Sequence, residues 1–124
     1  MLPASPSPIL GLSLRCDRRA PRLARRALEE ALDTAPVLED ARLVASELVN
    51  LAVMNFWCVA DDIIRLAAEL DEEFLIISVH VPGVAHEAEG ELGMRVVQEL
   101  AHRWGSETHD GHRVWAALPL GTAA

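Results

Sequence analysis

The sequence predicts an α+β two-layer sandwich, a mixed and mostly antiparallel sheet of about five strands with three helices on one face. Two helical segments stand in tandem early in the chain, strand signals come later in consecutive pairs, and short polar turns separate the members of each pair. At 124 residues with 51% hydrophobic content, the chain is one domain able to bury a core.

Residues 1–8 contain the Pro/Ser run PASPSP and read as a flexible tail, and residues 121–124 as a second short tail, leaving 9–120 as the folded domain. From Ile9 to Arg15, Leu12 and Leu14 alternate with small or polar residues, a strand signal. The period then changes. Ala20, Leu23, Ala24, Ala27, Leu28 and Ala31 share one helical face, with Pro21 acceptable in the first turn. A second helix follows Pro36, with Ala41, Val44, Ala45, Leu48 and Ala52 as its stripe and Glu39 and Asp40 suited to its N-terminal dipole. Two strands, Ile63 to Glu69 and Phe74 to Val81, flank the turn Asp71-Glu72-Glu73. A third helix is expected through Gly93, Val96, Val97, Leu100, Ala101 and Trp104, with Gly105 ending it. Ser106 to Asp110 and His112 to Leu118 then form a hairpin across Asp110-Gly111.

Charge and composition exclude several function classes. Residues 1–28 hold six arginines against Asp17, a balance of +5; the rest of the chain carries −13, and the two make the net −8. An acidic field repels phosphates, which argues against a nucleic-acid partner. There is no lysine, so neither a Walker-type lysine nor Schiff-base chemistry is available. The most apolar segment, Leu48 to Ala60, is interrupted by Asn50 and Asn55, which argues against a membrane span. The start of the chain has no basic region before its apolar run, so it does not read as a signal peptide. By elimination the protein is expected in the cytoplasm, with Cys16 and Cys58 as reduced thiols and Cys58, beside Trp57, a core residue.

Three strings, ARLVASELVNLAV (41–53), GMRVVQELAHRWG (93–105) and GHRVWAALPL (111–120), share a chain order with one known family. With RRAPRLARRALEEAL they make residues 9–120 resemble the histidine-kinase-type ATPase fold, in the short actinobacterial form of anti-sigma-factor serine kinases. The resemblance implies an ATP-dependent serine/threonine kinase or a regulator derived from one. It also implies a sigma factor or a STAS-type antagonist as partner, and homodimerisation.

Residue by residue, the family's site is largely replaced. The resemblance makes Glu47 the general base. The Mg²⁺-binding Asn expected four residues later is Leu51, and Asn50 stands one position early. One residue is about 100° of helix rotation, which turns Asn50 away from the apolar stripe, and an alkyl side chain offers Mg²⁺ no oxygen. Val81 occupies the place of the Asp that binds the adenine amine, with Gly83 retained beyond it. In the phosphate turn Gly93 matches the second glycine, while Glu91 replaces the first and places a negative charge where an anion would sit. Arg113 replaces the Thr of the closing strand. If the site worked it would hold Mg·ATP through Asn50, Gly83 and Gly93, lined also by Leu51, Val81, Glu91 and Arg113. The losses point instead to a module with no cofactor that acts by protein–protein binding. A third reading keeps an apolar sensor pocket lined by Val81, Leu51 and Phe56.

Other candidates are weaker. His102, His109, His112 and Asp110 could approach one another, but they lack a metal-ligand spacing, so no metal is expected. His80 and His86 could form a pH-sensitive pair. Arg18, Arg22, Arg25 and Arg26 lie opposite or beside the apolar stripe of the first helix. They form either a solvated face pairing with Glu29 and Glu30, or a docking surface for an acidic partner or for the acidic body of another copy.

Overall fold

A five-stranded sheet in the order β1-β2-β3-β5-β4 forms one layer of the computed structural model, and every neighbouring pair is antiparallel. The structure describes residues 6–54, 57–83, 94–108 and 110–120. The strands are β1 (Ser7–Arg15), β2 (Ile63–Leu70), β3 (Phe74–Val81), β4 (Arg103–Thr108) and β5 (His112–Pro119). The helices are α1 (Ala20–Leu32), α2 (Leu38–Met54) and α3 (Arg95–Leu100). This is the expected α+β order, with the sheet wholly antiparallel rather than mixed.

Helix α2 is the axis of the core. Ala41, Val44, Ala45, Leu48 and Ala52 are fully buried, joined by Val49 and Leu51. They meet Leu75, Ile77, Val79 and Val81 of β3 and Val114, Ala116 and Leu118 of β5, the alternate residues of two central strands. Each large side chain among them contributes roughly 1.5–3 kcal/mol by leaving water. Helix α1 packs beside α2 through Ala20, Ala24, Leu28 and Leu32. Leu23, expected on that stripe, is instead 43% exposed on the flank facing β1. Arg42 ties the two helices by an ion pair to Glu29 at 3.2 Å and a second, within α2, to Glu39.

The turns follow their side-chain chemistry. Asp71 Oδ1 accepts from the backbone N–H groups of Glu73 and Phe74, closing the β2–β3 hairpin. At the β4–β5 turn Asp110 and Gly111 both have positive φ, 51° and 108°, as a tight hairpin requires.

Three sequence expectations are corrected. Strand β1 begins at Ser7, inside the predicted tail, and a register shift between Pro8 and Leu10 accommodates it against β2. The third helix is short. Ala101 is already extended, and Trp104 and Gly105 belong to β4 opposite Ala116 and Trp115. Gly105 is therefore not a helix terminator. It makes room for the Trp115 ring, which a Cβ there would meet at 3.0 Å.

The third correction concerns the cysteines. Cys16, just after β1, is disulfide-bonded to Cys58, just after α2, with Cα atoms 6.0 Å apart. They are not the free thiols expected. The bond joins two connections held together by other means too: Cys16 N–H donates to the Asp62 carbonyl, and Asp62 Oδ2 accepts from Val59 N–H. Cys58 is buried, as expected of a core residue.

Candidate functional site

The described residues that the family resemblance singles out lie on α2, at the end of β3 and just past it, and at the start of β5. Glu47 and Asn50 sit on consecutive turns of an uninterrupted helix. Glu47 is half-buried and Asn50 exposed, while Leu51 is 5% exposed and turned into the core. The one-residue offset thus has the geometric consequence expected: the amide and the core-facing position are on different sides of α2. Val81, at the end of β3, is 1% exposed and packs in the same core. Leu51 and Val81 are thus both apolar and buried in one core.

Gly83 lies just past β3, and a Cβ there would meet the Trp57 carbonyl oxygen at 3.0 Å. Its glycine character serves this close backbone approach. Arg113 is in register with His80 on β3 and with Glu107 on β4, and it reaches Glu107 at 3.7 Å. By strand alternation it lies on the face opposite Val114, away from the helices. Gly93, Glu91, Phe56, His86 and His109 lie outside the described residues.

Two residues that the sequence reading did not connect meet here. Trp57 is 4% exposed, and its ring meets that of His112 edge-to-face at 5.4 Å. His112 is opposite Val81 in the β3–β5 register, and so faces the helix layer. Among the described residues neither Trp57 Nε1 nor His112 Nδ1 has a hydrogen-bond partner. Burial pushes the His112 pKa below its usual value, and the neighbouring His80 lowers it further. His80 itself uses Nε2 to donate to the Asp110 carbonyl at 2.8 Å, in the turn where a Cβ on Gly111 would collide with the Val81 carbonyl. No local spacing signals the Trp57–His112 pair, because 55 positions separate the two rings along the chain.

The neutral form of His112 is thus the one the fold accepts. Its folded-state pKa lies below the unfolded value near 6.5, so the unfolded chain binds the extra proton first, and stability falls as pH drops through 6.5 toward the folded pKa. The melting temperature is expected to decline between pH 7.5 and 5.5. His112→Phe, which keeps an aromatic ring against Trp57 and removes the titrating group, should flatten that decline in parallel thermal melts.

Of the candidate histidines, the described His102 and His112 lie at opposite ends of β5. His102 stacks on Phe74 at 5.2 Å, at the Ala117 end of β5, whereas His112 begins that strand. Five residues of strand separate these positions, roughly 17 Å, and among the described residues no cluster of ligand-type side chains could hold a metal.

On α1 the arginines behave differently from the pairing scheme. Glu29 bonds to Arg42, not to Arg25 or Arg26. None of the ion pairs among the described residues involves Arg18, Arg22, Arg25 or Arg26. Arg18, Arg22 and Arg26 are exposed and Arg25 is half-buried. Among the described residues these guanidinium groups make no i,i+4 ion pair with Glu29 or Glu30 and stand uncompensated on the helix surface.

No family model matches the sequence, and no curated protein matches it. Among the described residues no helix is long and apolar enough to cross a membrane.

Proposed function

We propose that this is a non-catalytic regulatory module of the histidine-kinase-type ATPase fold, working by protein–protein binding in transcriptional or stress signalling. The observation that carries the reading is the burial of Leu51 and Val81 in the core at the two positions where the family's chemistry needs an oxygen. A retained α+β framework with hydrocarbon in place of ligands is a fold kept for its surfaces. The uncompensated arginines of α1 are the surface best suited to the task, because guanidinium groups favour interfaces and the chain's own positive charge is concentrated there. The resemblance suggests a sigma factor or a STAS-type antagonist as the acidic partner, and the acidic body of a second copy fits the same surface. We place the protein in the cytoplasm, where the Cys16–Cys58 pair would be kept reduced except under oxidation.

The alternative reading is an active serine/threonine kinase, with Glu47 as base and Asn50 replacing the missing Mg²⁺ ligand. It needs a kink near residue 50, whereas α2 runs without interruption and Asn50 faces solvent. A small-molecule sensor would use Leu51 and Val81 as pocket walls, and both are packed in the core.

Calorimetric titration of Mg·ATP, with thermal melts in parallel, separates these readings. The regulatory reading predicts no heat of binding and no stabilisation at millimolar nucleotide. A kinase site saturated to 100 times its Kd would add about 2.7 kcal/mol, and micromolar binding would overturn the reading.

A further inference from the structure

The two edges of the sheet are built differently. Edge strand β4 is six residues long, carries Arg103 and Glu107, and is largely exposed and polar. Such a charged, short strand resists pairing with another chain. Edge strand β1 has nine residues with no charge before Arg15. Pro8 and the register shift beside it blunt only its start, leaving Leu10 to Arg15 regular against Ala68 to Ile63. As the outermost strand, it turns the backbone groups not used by β2 outward. A Cβ at Gly11 would meet nothing within 4 Å, so the face of the sheet is open at this position of the edge strand.

That open strand borders a groove of about 350 Å³ lined by Ser13, Leu14, Arg15, Asp17, Arg19 and Leu23. Its floor is apolar where Leu23 stands exposed beside buried Leu14. Asp17 does not make it acidic. The Asp17 carboxylate accepts from the Arg19 backbone N–H and pairs with the Arg19 guanidinium, and these contacts hold its pKa below the usual range. Among the described residues Arg15 makes no ion pair, although its charge is felt at Asp17; Arg65 stands opposite Ser13 on the adjoining strand, and Arg18 and Arg22 neighbour the groove residues Arg19 and Leu23 in sequence.

We propose that β1 receives an extended acidic segment of a partner protein as a sixth strand. Its backbone pairs with Leu10–Arg15, its apolar side chains rest on Leu23, and its carboxylates meet Arg15 and the arginines beside it. This rests on the protein-binding reading above and names the mode and chemistry of that binding. Strand addition takes affinity from main-chain hydrogen bonds and specificity from alternate side chains, so the ligand should alternate acidic and apolar residues. A second copy pairing β1 to β1 is the less suitable occupant, because it would bring two segments of charge +5 together.

The probe is a blocked ten-residue peptide of alternating Glu and Val, titrated to millimolar into the isotope-labelled full chain while amide resonances are followed. Expected are shifts at Leu10–Arg15 and Leu23 and none at Arg103–Thr108, with affinity falling at least tenfold between 50 and 300 mM salt. A Lys/Val peptide and a Glu/Val peptide interrupted by proline should not bind. Arg15→Glu with Arg19→Gln should weaken binding at least tenfold at an unchanged melting profile. Silence at millimolar peptide, shifts centred on β4, or equal binding of oligoglutamate would each overturn strand addition. So would concentration-dependent dimerisation broken by substitutions in β1, which would make a second copy the occupant. None of these results bears on the absence of nucleotide binding, which the Mg·ATP titration tests separately.

Discussion

Cleaving the Cys16–Cys58 bond with a dithiol should lower the melting temperature by about 15 °C. The bond spans 42 residues, and constraining a loop of that size in the unfolded chain is worth about 4 kcal/mol. For a chain of this length each kcal/mol corresponds to about 4 °C. Cys16→Ser should reproduce the loss in the absence of reductant, and dithiol should then add nothing to it. The loop enclosed contains all of α1 and α2, so reduction relaxes the joint between the strand edge and the end of the central helix, not a peripheral tail. Alkylation trapping of the protein from growing cells measures the redox state directly. A cytoplasmic setting predicts two reduced thiols, read by alkylation after denaturation because Cys58 is buried, and a single oxidised species would place the folded protein in an oxidising compartment.

Val81→Asp should abolish folding, costing more than about 4 kcal/mol. Val81 is 1% exposed, and a carboxylate in its place would lose its hydration among Leu51, Val79 and Val114, with the His112 imidazole, which burial holds in its neutral form, as its cross-strand neighbour. Circular dichroism at pH 7 should show an unfolded or strongly destabilised chain, with partial recovery at low pH as the carboxyl is neutralised. The experiment also distinguishes between readings of the site. In a hydrated nucleotide pocket an Asp at the end of β3 is tolerated, because water satisfies it when the base is absent. Normal stability of the variant would therefore show that position 81 faces a wet cavity and would reopen the kinase reading.

Much of this fold is legible in the sequence because it is decided locally. The α2 stripe from Ala41 to Ala52, the alternation and β-branching of β3, and the Asp71 and Asp110-Gly111 turns all follow from backbone periodicity and turn chemistry within a few residues. The offset that sets Asn50 in solvent and Leu51 in the core is equally local, following from 3.6 residues per turn. The remainder depended on contacts between distant segments. Whether α3 continued through Trp104 was decided by β5, which recruits Trp104 and Gly105 into the sheet and stacks Trp115 over the glycine. The pairing of Cys16 with Cys58, the edge-to-face contact of Trp57 with His112, and the exposure of Leu23 beside an unpaired β1 edge likewise have no signature in spacing. Sequence by itself determined the first two helices, the hairpins and the opposite settings of Asn50 and Leu51; only tertiary structure decided where α3 stops, which strands lie at the sheet's edges and which side chains meet there. Periodicity reports which face of an element is apolar, whereas the neighbour covering that face is set by packing between segments far apart in the chain.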